Sequence, residues 1–166
     1  MQPTHSAGNP ALFTPAAADY AARVRESFGR QAAMRLIGAR ITAVAPGTCA
    51  VELACREDLT QQAGYIHAGI VSAIVDSAGG YAGFTLFPEA SDVLTVEFKL
   101  NLLAPARGQR LVAVGEVVKQ GRALVITRGE VHAQDGDARV LCAIMQQTLI
   151  VVRRGSGEAR ATPAGG

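Results

Sequence analysis

The run QQAGYIHAGIVSAIVDSAGGYAGFTLFP, residues 61–88, decides the fold. Within it, Ile66 to Phe87 is 22 residues long and carries one acidic group, Asp76, one histidine, His67, and four glycines. That length lies in the range of a membrane-spanning helix. Two features point elsewhere: no Lys or Arg flanks the segment, and the β-rich runs on both sides of it need a partner for their apolar faces. A helix that is apolar on every side fits equally well at the centre of a globular fold. The segment therefore reads as a buried helix over roughly 67–87, stopped by Pro88.

Working outward, residues 39–45 and 48–55 are two β-rich runs separated by Pro46 and Gly47, a hairpin signal. Beyond the helix, four strand-length runs cover 93–104, 110–119, 122–134 and 138–152, with turns at 105–108, at Gln120-Gly121 and at Asp135-Gly136, the last a dipeptide that hairpin turns favour. In this order the four read as an antiparallel meander. Residues 16–34 show Tyr20, Val24 and Phe28 at helical spacing, which leaves Arg23, Arg25 and Glu26 for solvent and predicts an amphipathic leading helix that Gly29 ends or bends. Residues 1–15 and 153–166, rich in Ala, Gly, Pro, Ser and Thr, read as loose tails around one domain over 16–152. An antiparallel sheet has one face to bury. The economical packing is α+β: a curved six-stranded antiparallel sheet wrapped on the central helix, with a short helix at the N-terminal end.

The 166 residues suit one domain, and 49% apolar against 18% charged residues allow a real core. Sixteen Lys and Arg against fourteen Asp and Glu leave a net charge of +2, too balanced for a nucleic-acid or anionic-membrane coat. Trp is absent, so Ala, Val, Leu and Ile must build the interior. Cys49, Cys55 and Cys142 are odd in number and lack the C-x-x-C spacing of metal or redox motifs. They read as three reduced thiols of a cytoplasmic protein, with no metal or cofactor called for. The opening residues carry no basic region followed by an apolar one, so secretion is not signalled.

The chemistry centres on the helix. Small residues after His67 leave the first-turn backbone N–H groups open, and with the helix dipole they form a place for an anion or a developing oxyanion. The plainer alternative is that His67 only caps the helix. Asp76 lies nine residues on, half a turn out of phase and on the order of 13 Å along the axis. His67 and Asp76 of one chain therefore cannot form a hydrogen-bonded dyad, and a site using both needs a second subunit. Ser72, Gly79, Gly80 and Gly83 share the Asp76 face, and glycines there imply that something approaches closely, a substrate or another part of the chain. A lone carboxylate in so apolar a helix is costly unless it is satisfied structurally or used. Between Glu97 and Arg128 six basic residues (Lys99, Arg107, Arg110, Lys119, Arg122 and Arg128) face only Glu97 and Glu116. Such a patch suits the phosphates of a nucleotide-bearing ligand or, more simply, a solvated sheet edge.

The runs QQAGYIHAGIVSAIVDSAGGYA, TVEFKLNLLAPA and VVKQGRALVITRGEV together resemble the hotdog-fold acyl-CoA thioesterases, in the phenylacetate-pathway and 4-hydroxybenzoyl-CoA thioesterase branch. The resemblance spans about 35–152. It implies a hotdog fold, edge-to-edge homodimers that commonly form homotetramers, and hydrolysis of an aryl- or medium-chain acyl-CoA. By resemblance, Asp76 matches the catalytic carboxylate, nucleophile or general base. Ala68 falls where the family has a glycine whose N–H polarises the carbonyl, with Gly69 beside it. His67 matches a histidine near the thioester sulfur, and Gln61 matches an Asn or Gln that orients the carbonyl or water. Arg107, Lys119 and Arg122 are the candidates for CoA binding. Thr95 matches a Ser or Thr that assists the water, yet strand alternation groups it with Glu97, Lys99 and Asn101, away from Phe98, Leu100 and the helix. Two rivals are a non-catalytic acyl-CoA binding module and a hotdog hydroxyacyl-thioester dehydratase.

Overall fold

The computed structural model describes residues 13–153. The apolar segment forms one helix, α3 (Ala68–Phe84), with Val71, Ile74, Val75 and Ala78 wholly buried. Helices α1 (Tyr20–Gly29) and α2 (Ala32–Ile37) precede it, and the strands are β1 (Arg40–Ala45), β2 (Thr48–Ala54), β3 (Ser91–Leu102), β4 (Arg110–Gln120), β5 (Leu124–Asp135) and β6 (Ala138–Arg153). They form one antiparallel sheet in the order β1-β2-β4-β5-β6-β3. This is the expected sheet on a central helix, the hotdog architecture. No helix among the described residues is long and apolar enough to cross a membrane.

The helix can sink into the sheet because the strands beneath it lack side chains. Gly115 and Gly129 are cross-strand partners in β4 and β5. A Cβ on Gly115 would stand 2.3 Å from the carbonyl carbon of Ala78, and one on Gly129 would stand 2.5 Å from Val75 Cγ2. Irregular pairing after Ile41, Thr95, Val117 and Val131 bends the strands around the helix. Burying each large aliphatic chain at this junction contributes about 1.5–3 kcal/mol.

Several expectations change. The four later strands are not a simple meander: β4, β5 and β6 run in sequence, but β3 passes to the far edge and pairs with β6. That placement brings β3 against α3 at Asp76. The leading helix is two helices, broken after Gly29. Arg23 does not face free solvent; its guanidinium donates to the carbonyls of Phe87, Pro88 and Glu89 at 2.9–3.1 Å and stacks over Phe84, closing the C-terminal end of α3. Most of both tails lies outside the described residues. Of the remainder, Phe13 packs against the core beside Gly47, and Arg153 pairs with Ser91 in the sheet. Gly47 (φ 76°) takes the left-handed conformation that its two-residue hairpin demands.

Candidate active site

Asp76 is half-buried on the α3 face that meets β3 and β6. Its Oδ1 accepts from Thr95 Oγ1 at 2.8 Å and from Gln147 Nε2 at 2.5 Å, and Gln147 Nε2 is also 3.3 Å from the Asp76 carbonyl. Oδ2 has no partner among the described residues. Burial raises the carboxyl above its ordinary range, and the hydrogen bonds from Thr95 and Gln147 pull part of the way back. A half-buried carboxylate with one oxygen pinned and the other open is equipped to attack a carbonyl or to take a proton from water.

Thr95 thus faces the helix, against the alternation argument. The reason is a bulge at Val96. Thr95 pairs with Leu149, Glu97 pairs with Thr148, and Phe98 pairs with Gln147. One extra residue inverts the parity, so Thr95 lies on the inner face with Phe98, while Glu97, Lys99 and Asn101 lie on the outer one. Two of the three glycines on the Asp76 face also find their cause, while a Cβ on Gly80 would meet nothing within 4 Å. A Cβ on Gly79 would meet Gln147 Oε1 at 2.2 Å, and one on Gly83 would meet Leu149 Cδ1 at 2.5 Å. The close approach is by side chains of β6, joined at Gly79 by Thr127 of β5.

Gln147 is the residue that reading the sequence missed. The signal was present: along β6, Ala143, Met145, Gln147 and Leu149 share the buried register, and a polar side chain 1% exposed in that row must be hydrogen-bonded.

At the N-terminal end of α3, His67 is the N-cap residue, and its Nδ1 accepts from the Gly69 N–H at 2.9 Å. His67 therefore does cap the helix, through one ring nitrogen. It also removes Gly69 as a free donor and leaves the Ala68 N–H without a partner among the described residues. The Ile66 N–H donates to the Ala106 carbonyl at 2.9 Å, which places Arg107 beside this helix end. The Gln61 side-chain oxygen turns back to accept from the Ala63 N–H. Ala68 lies eight residues before Asp76, about 12 Å along α3, so the structure does not bring them together within one chain.

The basic residues do not form a single patch. Arg128 pairs with Glu116 at 2.7 Å and Arg110 lies 3.8 Å from Glu52. Lys119 is about 30 Å along β4 from Arg110, and Arg122 follows it, so both lie at the opposite end of the strand from Arg107. A cavity of about 520 Å³ lined by Glu97, Lys99, Asn101, Arg128, Glu130 and Gln146 sits on the outer register of β3, β5 and β6, away from Asp76. Among the described residues, no three His, Cys, Asp or Glu side chains converge as metal ligands would.

The curved six-stranded sheet on one central helix defines a hotdog protein. The family model described as the thioesterase superfamily matches residues 63–139. A crystal structure of a thioesterase family protein from Silicibacter pomeroyi is 45% identical, covers 81% of this chain and 98% of that one, and superposes with a TM-score of 0.79. A Saccharolobus solfataricus protein named "Putative esterase" is 30% identical over 135 residues, 81% of this chain and 87% of the relative. The Escherichia coli PaaI protein from the phenylacetic acid degradation operon is 16% identical with a TM-score of 0.72, a likeness of fold alone. The chain belongs to the thioesterase superfamily.

Proposed function

We propose that the protein is an acyl-CoA thioesterase with two composite sites per homodimer. The observation that carries this reading is the Asp76 carboxylate, held at Oδ1 by Thr95 and Gln147 and open at Oδ2. The carbonyl of the thioester docks at the Ala68 N–H of one subunit, next to Gly69 and the helix dipole, and Asp76 of the other subunit supplies the reaction. Either Asp76 attacks, expelling the CoA thiolate to leave an acyl anhydride that water cleaves, or it takes a proton from water as that water attacks. Both routes consume one water and release the free acid and CoA.

Two subunits are required because Ala68 and Asp76 lie too far apart on one helix. The edge strand β3 supports the pairing: it exposes Leu94, Val96 and Phe98 (45–59% exposed), a liability that a second copy would cover. We extend this to a homotetramer as the family resemblance suggests. With Nδ1 accepting from Gly69, the ring proton of His67 sits on Nε2 and is the donor left for the departing sulfur. Gln61 and Thr95 serve the carbonyl and the water respectively. Arg107, beside the helix N-terminus, is the phosphate partner we favour; Lys119 and Arg122 would contribute only from another subunit. Aryl and medium-chain acyl groups are the substrate class carried forward.

The test is thiol release from a panel of CoA thioesters by wild type and Asp76→Ala. Release by the wild type that falls at least about 1,000-fold in the variant supports the reading. No release from any aryl or medium-chain substrate, or equal release by both proteins, defeats it.

A further inference from the structure

Gln147 has no part in the bond-making steps above, yet it is tied at both ends. Thr127 Oγ1, itself fully buried, donates to Gln147 Oε1 at 2.9 Å. The amide nitrogen donates to Asp76 Oδ1 at 2.5 Å and lies 2.9 Å from Thr95 Oγ1. Thr95 Oγ1 in turn donates to the same Asp76 oxygen. The chain has one consistent direction: Thr127 to Gln147, Gln147 to Thr95 and Asp76, and Thr95 to Asp76. Turning the amide over would set Oε1 against Oδ1, two acceptors at contact distance. The space for the amide is reserved by Gly79, whose missing Cβ would sit 2.2 Å from Oε1 and 2.9 Å from Thr127 Oγ1. Donors from β3 and β6 thus converge on one carboxylate oxygen of α3, with β5 holding the β6 donor in place.

We infer that Gln147, held in orientation by Thr127, is a positioning residue that pins Asp76 Oδ1 and leaves Oδ2 as the single reacting oxygen. This rests on the reading of Asp76 as the reacting carboxylate. The groups that bond that carboxylate are neutral, Thr95 from β3 and Gln147 from β6 with Thr127 of β5 behind it, and so are Ser72, Gly79 and Gly80, which share its face of α3 by helical spacing. No charged side chain contributes to the shift of its titration. Removing the amide donor therefore acts on the carboxylate directly rather than through a neighbouring charge.

The experiment uses Gln147→Met, which keeps the volume and removes the donor, Thr127→Val, which removes only a hydroxyl, and the double variant. Loss of one hydrogen bond to a charged acceptor predicts a fall in kcat of about 10- to 100-fold for Gln147→Met. KM is expected to stay within about threefold, and the acid limb of the kcat/KM profile to move up by about one pH unit. Thr127→Val is expected to lose about 3- to 10-fold in the same direction, and the double variant to match Gln147→Met alone, because Thr127 acts through Gln147. In the same proteins the ¹³C-labelled Asp76 carboxyl is titrated by NMR, a readout that needs no turnover; its midpoint is expected to rise in both single variants. If Gln147→Met does not fold, the Thr127→Val profile and titration decide. An unmoved acid limb and unmoved titration in a folded variant, or losses that add in the double variant, overturn the inference. Full activity in Asp76→Asn would instead overturn the catalytic reading beneath it, while the titration still reports whether Gln147 binds the carboxylate.

Discussion

Replacing Asp76 by Asn separates what this residue does for chemistry from what it costs the fold. The Asn carbonyl oxygen can occupy the Oδ1 position and keep both donors, Thr95 at 2.8 Å and Gln147 at 2.5 Å, so no buried donor is orphaned at about 1–3 kcal/mol. What disappears is the charge. Burial raises the folded-state carboxyl above its unfolded value of about 3.9. Between those two values the native state binds more protons than the unfolded chain, so wild-type stability falls as pH rises through that window and stays lower above it. Asn does not titrate and escapes the loss. Because water reaches Oδ2, the gain is modest, about 1 kcal/mol, or roughly 2–4 °C in Tm for a chain of this size. Thermal unfolding of both proteins from pH 3.5 to 8 should show the Asn variant more stable at pH 7.5, with the difference closing as the wild-type carboxyl becomes protonated. Thiol release should fall about 1,000-fold or more in the same variant. A Tm difference that is zero or negative at pH 7.5, or independent of pH, would refute the argument that the carboxylate is held against its own solvation.

Three further outcomes are expected. Ala68→Pro should leave Tm within about 2 °C, because proline suits the first helical position, while deleting the proposed oxyanion donor and lowering kcat about 100- to 1,000-fold; undiminished turnover would place the carbonyl elsewhere. Gly115→Ala puts a Cβ 2.3 Å from the Ala78 backbone, which cannot give way as a side chain would, so denaturant unfolding should show a loss of about 3 kcal/mol or more. Cys49, buried and pushed up to about 12, holds about one thiolate in ten thousand at pH 8. Mass spectrometry after brief alkylation of the native protein should therefore find Cys55, the one partly exposed thiol among the three, labelled before Cys49 and Cys142.

Much of the fold was legible because the helix announces itself. Twenty-two residues from Ile66 to Phe87 with one acid need an interior, and the β-rich runs around them supply one. The strand order was less legible. Nothing local to residues 91–102 distinguishes a strand that pairs with its successor from one that crosses to β6; that choice depends on which arrangement closes the sheet over α3. The cationic stretch failed for a related reason. Arg107 and Lys119 are close in sequence but sit near opposite ends of one extended strand, while Arg128 is taken up by Glu116 of the same stretch and Arg110 faces Glu52 from β2.

The same contrast runs through the site. Helical phase is a local property, about 100° per residue, so the separation of Asp76 from the helix N-terminus could be read from the spacing of His67 and Asp76 alone. The phase of a strand is fragile, since a single extra residue inverts it. The bulge at Val96, which arises only where β3 meets β6, turned Thr95 toward the helix. The contact between Gln147 and Asp76 joins residues 71 positions apart. The sequence by itself determined the central helix, the acid on it and the distance that keeps that acid from the N-terminus of its own helix. Tertiary structure alone decided which side chains bind that acid, because those bonds form between strands whose register is set by the packing of the whole sheet.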